Sequence, residues 1–468
     1  MRIGHGVKSM VVTAFSVAAL SVVAMVGFAP AVHAEIVGLG AGGEYHPLTP
    51  DRIYDTRPSI AHPSGINSAG VPIVTSPAGG FTDVQILGRG GVPDAAGDVL
   101  AVVVSITVTG PSSGGYLQAY PSGAAAGISS VVNFAAGQTV PNLTVATVGA
   151  NGKLTVRLST PVVGTADILI DVFGWFSTSA FATNGARFIP VGPGRIWDTR
   201  EASFNGTGQP IGQAQTITVP IRGADSQIPA TTDIIPNDPN VVGVVLNVTG
   251  INTEPNNLPT FVSVLPESPG RPPTTSNLNL GQNQIKANLV IVPVTDADGA
   301  IRIYNSSGRT HVAVDVVGYM MANVDDVVHP RQGRVIPLTA PFRAFDTRDV
   351  GFGNAQLGPG QAEAWSFSQF VASVTLGGQP VGNQLALLGN LTGTGLTRVL
   401  PYVPVASFFT MYPGDVGRPL TSNINLTEGV NVPNMAVLKL GANSQIKAFN
   451  SAGYVHYLFD VSAVVLGD

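Results

Sequence analysis

The tripeptide Asp-Thr-Arg occurs three times, at Asp55-Thr56-Arg57, Asp198-Thr199-Arg200 and Asp346-Thr347-Arg348. Each copy follows an arginine three residues upstream, at Arg52, Arg195 or Arg343, and each opens a similar stretch of chain. A period of roughly 145 residues exceeds a solenoid or propeller unit and has the size of a domain. One module is therefore written three times, at residues 44–178, 187–322 and 334–468.

The same landmarks recur in order. An extended opening with Pro47, Pro190 or Pro337 leads to the arginine, an aromatic residue (Tyr54, Trp197, Phe345) and Asp-Thr-Arg. A Gly/Pro-rich loop precedes a β-branched run, Val99 to Thr109, Val241 to Thr249 or Leu385 to Thr392. These runs end in Thr107-Val108-Thr109-Gly110, Asn247-Val248-Thr249-Gly250 and Asn390-Leu391-Thr392-Gly393, which reads as one alignment of the three. A shorter strand stops at Pro121, Pro266 or Pro413, where proline ends a central strand. Each unit closes with a hairpin turn, Asn151-Gly152, Asp298-Gly299 or Asn443-Ser444, and a strand holding Asp171, Asp315 or Asp460. No window keeps an apolar 3.6-residue period, and 56 glycines and 36 prolines punctuate short runs, so an all-β fold follows. The expected architecture is three tandem antiparallel β-sandwich or jelly-roll-like modules of about eight or nine strands. Short connectors at 177–186 and 323–333 leave open a semi-rigid rod or a compact cluster.

Residues 1–34 carry Arg2 and Lys8, an apolar run from Met10 to Phe28, Pro30 and the small-residue ending Val32-His33-Ala34. This reads as a signal peptide cleaved after Ala34, with retention of the apolar run as an anchor the alternative. Its loss removes two of 23 basic residues, leaving 21 against 28 acidic ones, a net charge of −7 that disfavours nucleic acid as a partner. No later segment is apolar for long enough to span a membrane as a helix. With only 11% charged residues, the surface must be built from Thr, Ser, Asn, Gln and Gly, which suits contact with an extracellular polymer or with itself. The absence of cysteine in an exported chain fits bacterial export with cores that need no disulfides.

These landmarks (Arg-x-x-Asp-Thr-Arg, Asn-Val-Thr, Ser-Asn-Leu-Asn, Gly-Gln-Thr-Val-Pro-Asn and Asp-Val-x-Gly-Tyr) resemble modules of secreted and cell-surface proteins of actinobacteria. The resemblance covers nearly the whole chain after residue 34 and implies an extracellular β module, with no activity attached to it. Module three departs from the pattern after Asp460, having Ala463-Val464 where the others have Gly174-Trp175 and Gly318-Tyr319.

Chemistry is sought first among the recurring charges: Arg52, Asp55, Arg57 and Asp171; Arg195, Asp198, Arg200 and Asp315; Arg343, Asp346, Arg348 and Asp460. Paired carboxylates suit glycoside hydrolysis, but arginines beside both acids are expected to lower their pKa values, whereas a general acid needs a raised one. These charges are instead expected to form a structural Arg-Asp network tying the first strand to the last. Gly110-Pro111-Ser112-Ser113-Gly114 matches a nucleophile-elbow pattern but precedes a strand rather than a helix. His311 and His456 stand four residues before Asp315 and Asp460, about 13 Å along a strand and too far for a shared metal. His46, His62 and His329 are the other histidines after residue 34, and Asp296-Ala297-Asp298-Gly299 lacks the downstream glutamate of a calcium loop. No catalytic, metal or cofactor site is expected. The repeated asparagines Asn133, Asn279 and Asn425, and Asn142, Asn288 and Asn434, either bond to backbone at strand ends or face a glycan, with Tyr120 or Tyr412 stacking on a sugar.

The sequence therefore points to a non-catalytic exported structural or adhesive protein, secreted or held at the cell surface. A multivalent carbohydrate-binding protein with one site per module is the alternative, and an extracellular hydrolase the third reading.

Overall fold

The structure, a computed structural model, describes residues 33–34, 42–57, 71–178, 181, 183–227, 229–254, 257–270, 272–273, 275–295, 297–376, 379–397 and 406–468. The expected signal peptide lies outside the described residues save for His33–Ala34, which pair in parallel with Thr375–Leu376. His62 and Asp296 also lie outside them.

Each module supplies two small antiparallel sheets. In module one the inner sheet runs Tyr45–Asp55, Gly164–Ser177, Val99–Thr109, Val140–Ala146, and the outer sheet Gly80–Gln85, Lys153–Ser159, Gly115–Pro121, Val132–Phe134. Module two repeats this order with Arg187–Asp198, His311–Met321, Val241–Asn252, Gln284–Pro293, and outside Gln215–Pro220, Ala300–Asn305, Thr260–Leu265, Leu278–Leu280. Module three does so with Val335–Asp346, Tyr454–Leu466, Gln384–Thr397, Val432–Lys439, and outside Ala362–Ser366, Gln445–Asn450, Ala406–Pro413, Ile424–Thr427.

The two-residue period of the inner strands explains their placement. In Val99–Thr109, Val102, Val104, Ile106 and Val108 face the core that the inner sheet shares with the outer sheet of its own module. Ala101 and Val103 point the other way, into a fourth core with Phe173 and Phe176, with Phe188, Leu289 and Ile291 of module two, and with Met435, Val437 and Val465 of module three. Strands apolar on both faces cannot leave one face in water, so the modules close on one another. The expectation of three tandem sandwiches is thereby corrected: the sheets form a six-bladed propeller-like ring in which the three inner sheets meet at the shared core.

The openings of the modules meet at one end of that core. The Gly43 amide donates to the Val335 carbonyl, that of Tyr45 to Ala186, and that of Phe188 to Gly333, each at 2.8 Å. Here the departure in module three finds its reason. A Cβ at Gly174 would overlap the Tyr45 ring, and one at Gly318 the Phe188 ring. Module three has the smaller Val335 at the matching place, which leaves room for Ala463.

Candidate functional site

The structure brings the recurring charges together identically in each module. Arg52 reaches across to the last strand and holds Asp171 in a two-pronged bond, Nε to Oδ1 at 2.8 Å and the second nitrogen to Oδ2 at 3.1 Å, while its remaining nitrogen lies 3.4 Å from Asp55. Arg57 folds back on Asp55 at 2.7 Å, and its backbone amide donates to the same carboxylate. Arg195, Asp198, Arg200 and Asp315 repeat the arrangement, with Arg195 Nε 2.8 Å from Asp315 and Arg200 2.7 Å from Asp198. So do Arg343, Asp346, Arg348 and Asp460, at 2.9 Å and 2.6 Å for the same pairs.

The threonine of the triplet is part of this clasp. Thr56 Oγ1 donates to Asp167 at 2.7 Å and accepts the Ile168 amide at 2.9 Å. Thr199 and Thr347 accept from the Val312 and Tyr457 amides and meet His311 and His456 at 2.9 and 3.2 Å. The two histidines thus serve the closing strand of the clasp. Among the described residues no group of three or more His, Cys, Asp or Glu is arranged to hold a metal ion.

The electrostatics correct one expectation. Burial pushes the Asp55, Asp198 and Asp346 carboxyls up, but hydrogen bonds from Arg57, Arg200 and Arg348 more than offset it and hold them below the ordinary value. For Asp171, Asp315 and Asp460 burial outweighs the arginine, and the carboxyl is raised. The arginines therefore do not lower both acids. The raised acids are 0–1% exposed and gripped by a guanidinium on both oxygens, which leaves no approach for a substrate. Ser112 and Ser113, the other nucleophile candidates, lead straight into the strand Gly115–Pro121.

The repeated asparagines divide into two sets. Asn142, Asn288 and Asn434 are buried, and each Nδ2 donates at 2.7 Å to a carbonyl of its own module, Val131, Asn277 or Asn423. They do not face a solvent groove. Asn142 also donates to Asn390 of module three at 2.9 Å, Asn390 donates to Ser130 at 2.6 Å, and the Met435 amide returns to Asn142 at 2.9 Å. Asn434 joins module three to module two in the same way, donating to Asn247 at 2.8 Å and accepting the Leu289 amide at 2.9 Å, while Asn247 donates to the Ser422 carbonyl. The Ser422 amide also bonds to Asp315, so this junction touches a clasp directly.

At the third junction register places Ser105 opposite Asp171, where Asn247 faces Asp315 and Asn390 faces Asp460. The alignment through Thr107 is corrected by two residues. Ser105 is buried and its hydroxyl has no hydrogen-bond partner.

The second set, Asn133, Asn279 and Asn425, lies half-buried on the solvent side of the outer sheets, each hydrogen-bonded to a nearby serine, Ser130, Ser276 or Ser422. Tyr120 is half-buried on the same side, but Tyr412 is only 5% exposed and offers little face for stacking.

A buried ion cluster was not foreseen from the sequence. Glu44, Arg187 and Arg334 each stand three residues before the opening proline of their module, and the fold gathers them at the core's end. Glu44 lies 2.9 Å from both arginines, Asp326 pairs with Arg187, and Arg187 also donates to the Gln332 carbonyl at 2.9 Å. Arg187 is 2% exposed; burial and then the neighbouring Arg334 push its pKa below the ordinary value, against the pull of Glu44 and Asp326. The common spacing to proline was the only signal, and the change of charge between copies concealed it.

No family model matches the chain, and no curated protein matches it. Among solved structures it is similar to an atomic structure of Sulfolobus turreted icosahedral virus, at 10% identity over 91% of this chain and 90% of that one, with a TM-score of 0.16. A second similarity is to a triple jelly roll fold and turret assembly in an archaeal virus, at 10% identity over 90% of both chains and a TM-score of 0.15. Scores this low carry no argument about fold or function.

Proposed function

We propose that this chain is a non-catalytic, exported structural or adhesive protein that works at or beyond the cell surface as one closed block of three modules. The observation that supports this best is the fate of the recurrent charges: in all three modules the acids are buried and every one of them is held by an arginine of the same clasp. Residues conserved between copies thus maintain the scaffold, and contact with the outside falls to outer-sheet faces and loops. Export rests on the leader-like residues 1–34, and the resemblance to secreted actinobacterial modules points the same way. No helix among the described residues is long and apolar enough to cross a membrane.

Fractionation of cells expressing the full-length chain tests this reading. The expected result is a processed protein in the cell-wall fraction or in extracellular assemblies. A strictly monomeric chain found only in culture fluid, or only in the cytoplasm, overturns it.

A further inference from the structure

We propose that the groove where module one meets module three binds a neutral pyranose of a glycan chain, stacked on Tyr116 and hydrogen-bonded by Ser159 and Asn133, and that the other modules lack this site. The inference rests on the non-catalytic reading above and deepens it by naming a ligand class.

Three neighbouring strands set the site. Tyr116 is paired with Ser159 on one side and Asn133 on the other, so a hydroxyl, an aromatic ring and an amide stand in a row across the outer sheet. Leu117, Val132 and Leu158, one residue away on each strand, fill the core, so the row faces outward. Neighbouring strands lie about 4.8 Å apart, so the two polar groups stand astride the ring with their backbones about 9.6 Å apart, one toward each edge of a sugar stacked on it. Tyr116 is 40% exposed, and the row opens into a groove of about 540 Å³ bounded on its far side by Gly429, Val430 and Asn431 of module three. No charged side chain lines it, which selects a neutral ligand.

Comparison of the copies separates this site from a mere surface pattern. The residues matching Ser159 are Ser306 and Ser451, which accept the Phe261 and Phe408 amides and also meet Thr260 and Ser407 at 3.1 and 2.9 Å. Module one has Gly115 in place of that threonine or serine. The internal partner is gone, and Ser159, only 4% exposed, keeps a hydroxyl without any hydrogen bond at the groove wall. A buried hydroxyl left unpaired destabilises the fold, and a ligand hydroxyl that pairs with it removes that cost. Tyr116 likewise replaces a phenylalanine in both other copies, adding a polar tip to the stacking face.

The test is calorimetric and NMR titration of the chain lacking residues 1–34 with glucose, galactose, mannose and short N-acetylglucosamine oligomers. One saturable site per chain is expected for at least one of these sugars, with the sugar recovered intact. Tyr116→Ala should weaken binding about tenfold or more at unchanged melting temperature. Ser159→Ala should weaken it less, and Phe408→Ala should leave it unaltered. The proposal is overturned by absence of saturable binding to every sugar, by binding that survives Tyr116→Ala, or by a stoichiometry of three. Because the titration needs no cell, its failure is distinguishable from failure of the wall-fraction experiment.

Discussion

The clasp and the axial ion cluster are both built from charges at repeated positions, yet one is identical in every module and the other is a glutamate in module one and an arginine in modules two and three. Arg52, Asp55, Arg57 and Asp171 recur as the same residue types because the clasp lies within a module, so each copy must meet the same requirement alone. Glu44, Arg187 and Arg334 meet near a common axis, where three copies of one charge would face one another in a buried setting. Contacts within a repeat favour sameness; where three repeats meet, at least one copy must carry the opposite charge. The asparagine junctions fall between these extremes, with two sealed by the same amide exchange and the third carrying Ser105.

The largest effect is expected for Glu44→Ala, which leaves Arg187 and Arg334 facing each other with only the half-exposed Asp326 in reach. A loss of about 3–5 kcal/mol should appear in denaturant unfolding, and hydrogen exchange should rise in all three modules together. If it rises in module one alone, the cluster is not what joins them. Asp198→Ala should cost less, about 3 kcal/mol, because Arg195 keeps Asp315, and the added exchange should be confined to module two.

The same substitution has a signed pH dependence. The Asp198 carboxyl is depressed in the folded state, so its stabilisation is present above about pH 4, the unfolded value, and is lost as the pH falls through the folded one. The difference between wild type and Asp198→Ala should therefore shrink on acidification below that point, while the raised Asp315 contributes with the opposite sign. A difference that stays constant from neutral pH to the acid limit contradicts the clasp electrostatics.

The smallest pair compares junctions. Asn390→Ala removes a donor to Ser130 and an acceptor for Asn142 and should cost about 1–3 kcal/mol. Ser105→Ala removes a hydroxyl that bonds to nothing and should be neutral or slightly stabilising. Equal losses at the two positions would mean that the junctions do not differ as described.

Much of the local structure could be read directly. The strand Val99–Thr109 begins and ends where its β-branched run does, and the closing aspartates lie opposite the arginines suggested for them. What misled was degeneracy. A strand shifted by two residues keeps its faces, so Thr-x-Thr-Gly aligned as well as Ser-x-Thr, and only pairing to Asp171 showed that Ser105 is the residue equivalent to Asn247. The glycan reading placed Asn142 and Asn434 on a surface for a similar reason: an amide that bridges modules and one that bridges protein to sugar have the same composition.

By itself the sequence determined the repeat, the strands and the within-module clasp, because these depend on spacing along the chain and on groups that one copy contains. The closure of three modules on a shared core, the choice of Glu44, Arg187 and Arg334 as its lock, and the unpaired hydroxyl of Ser159 were decided only in three dimensions. Each of these depends on which face of one repeat meets which face of another. Strand periodicity marks an apolar face as needing burial, but it carries no record of the partner that covers it.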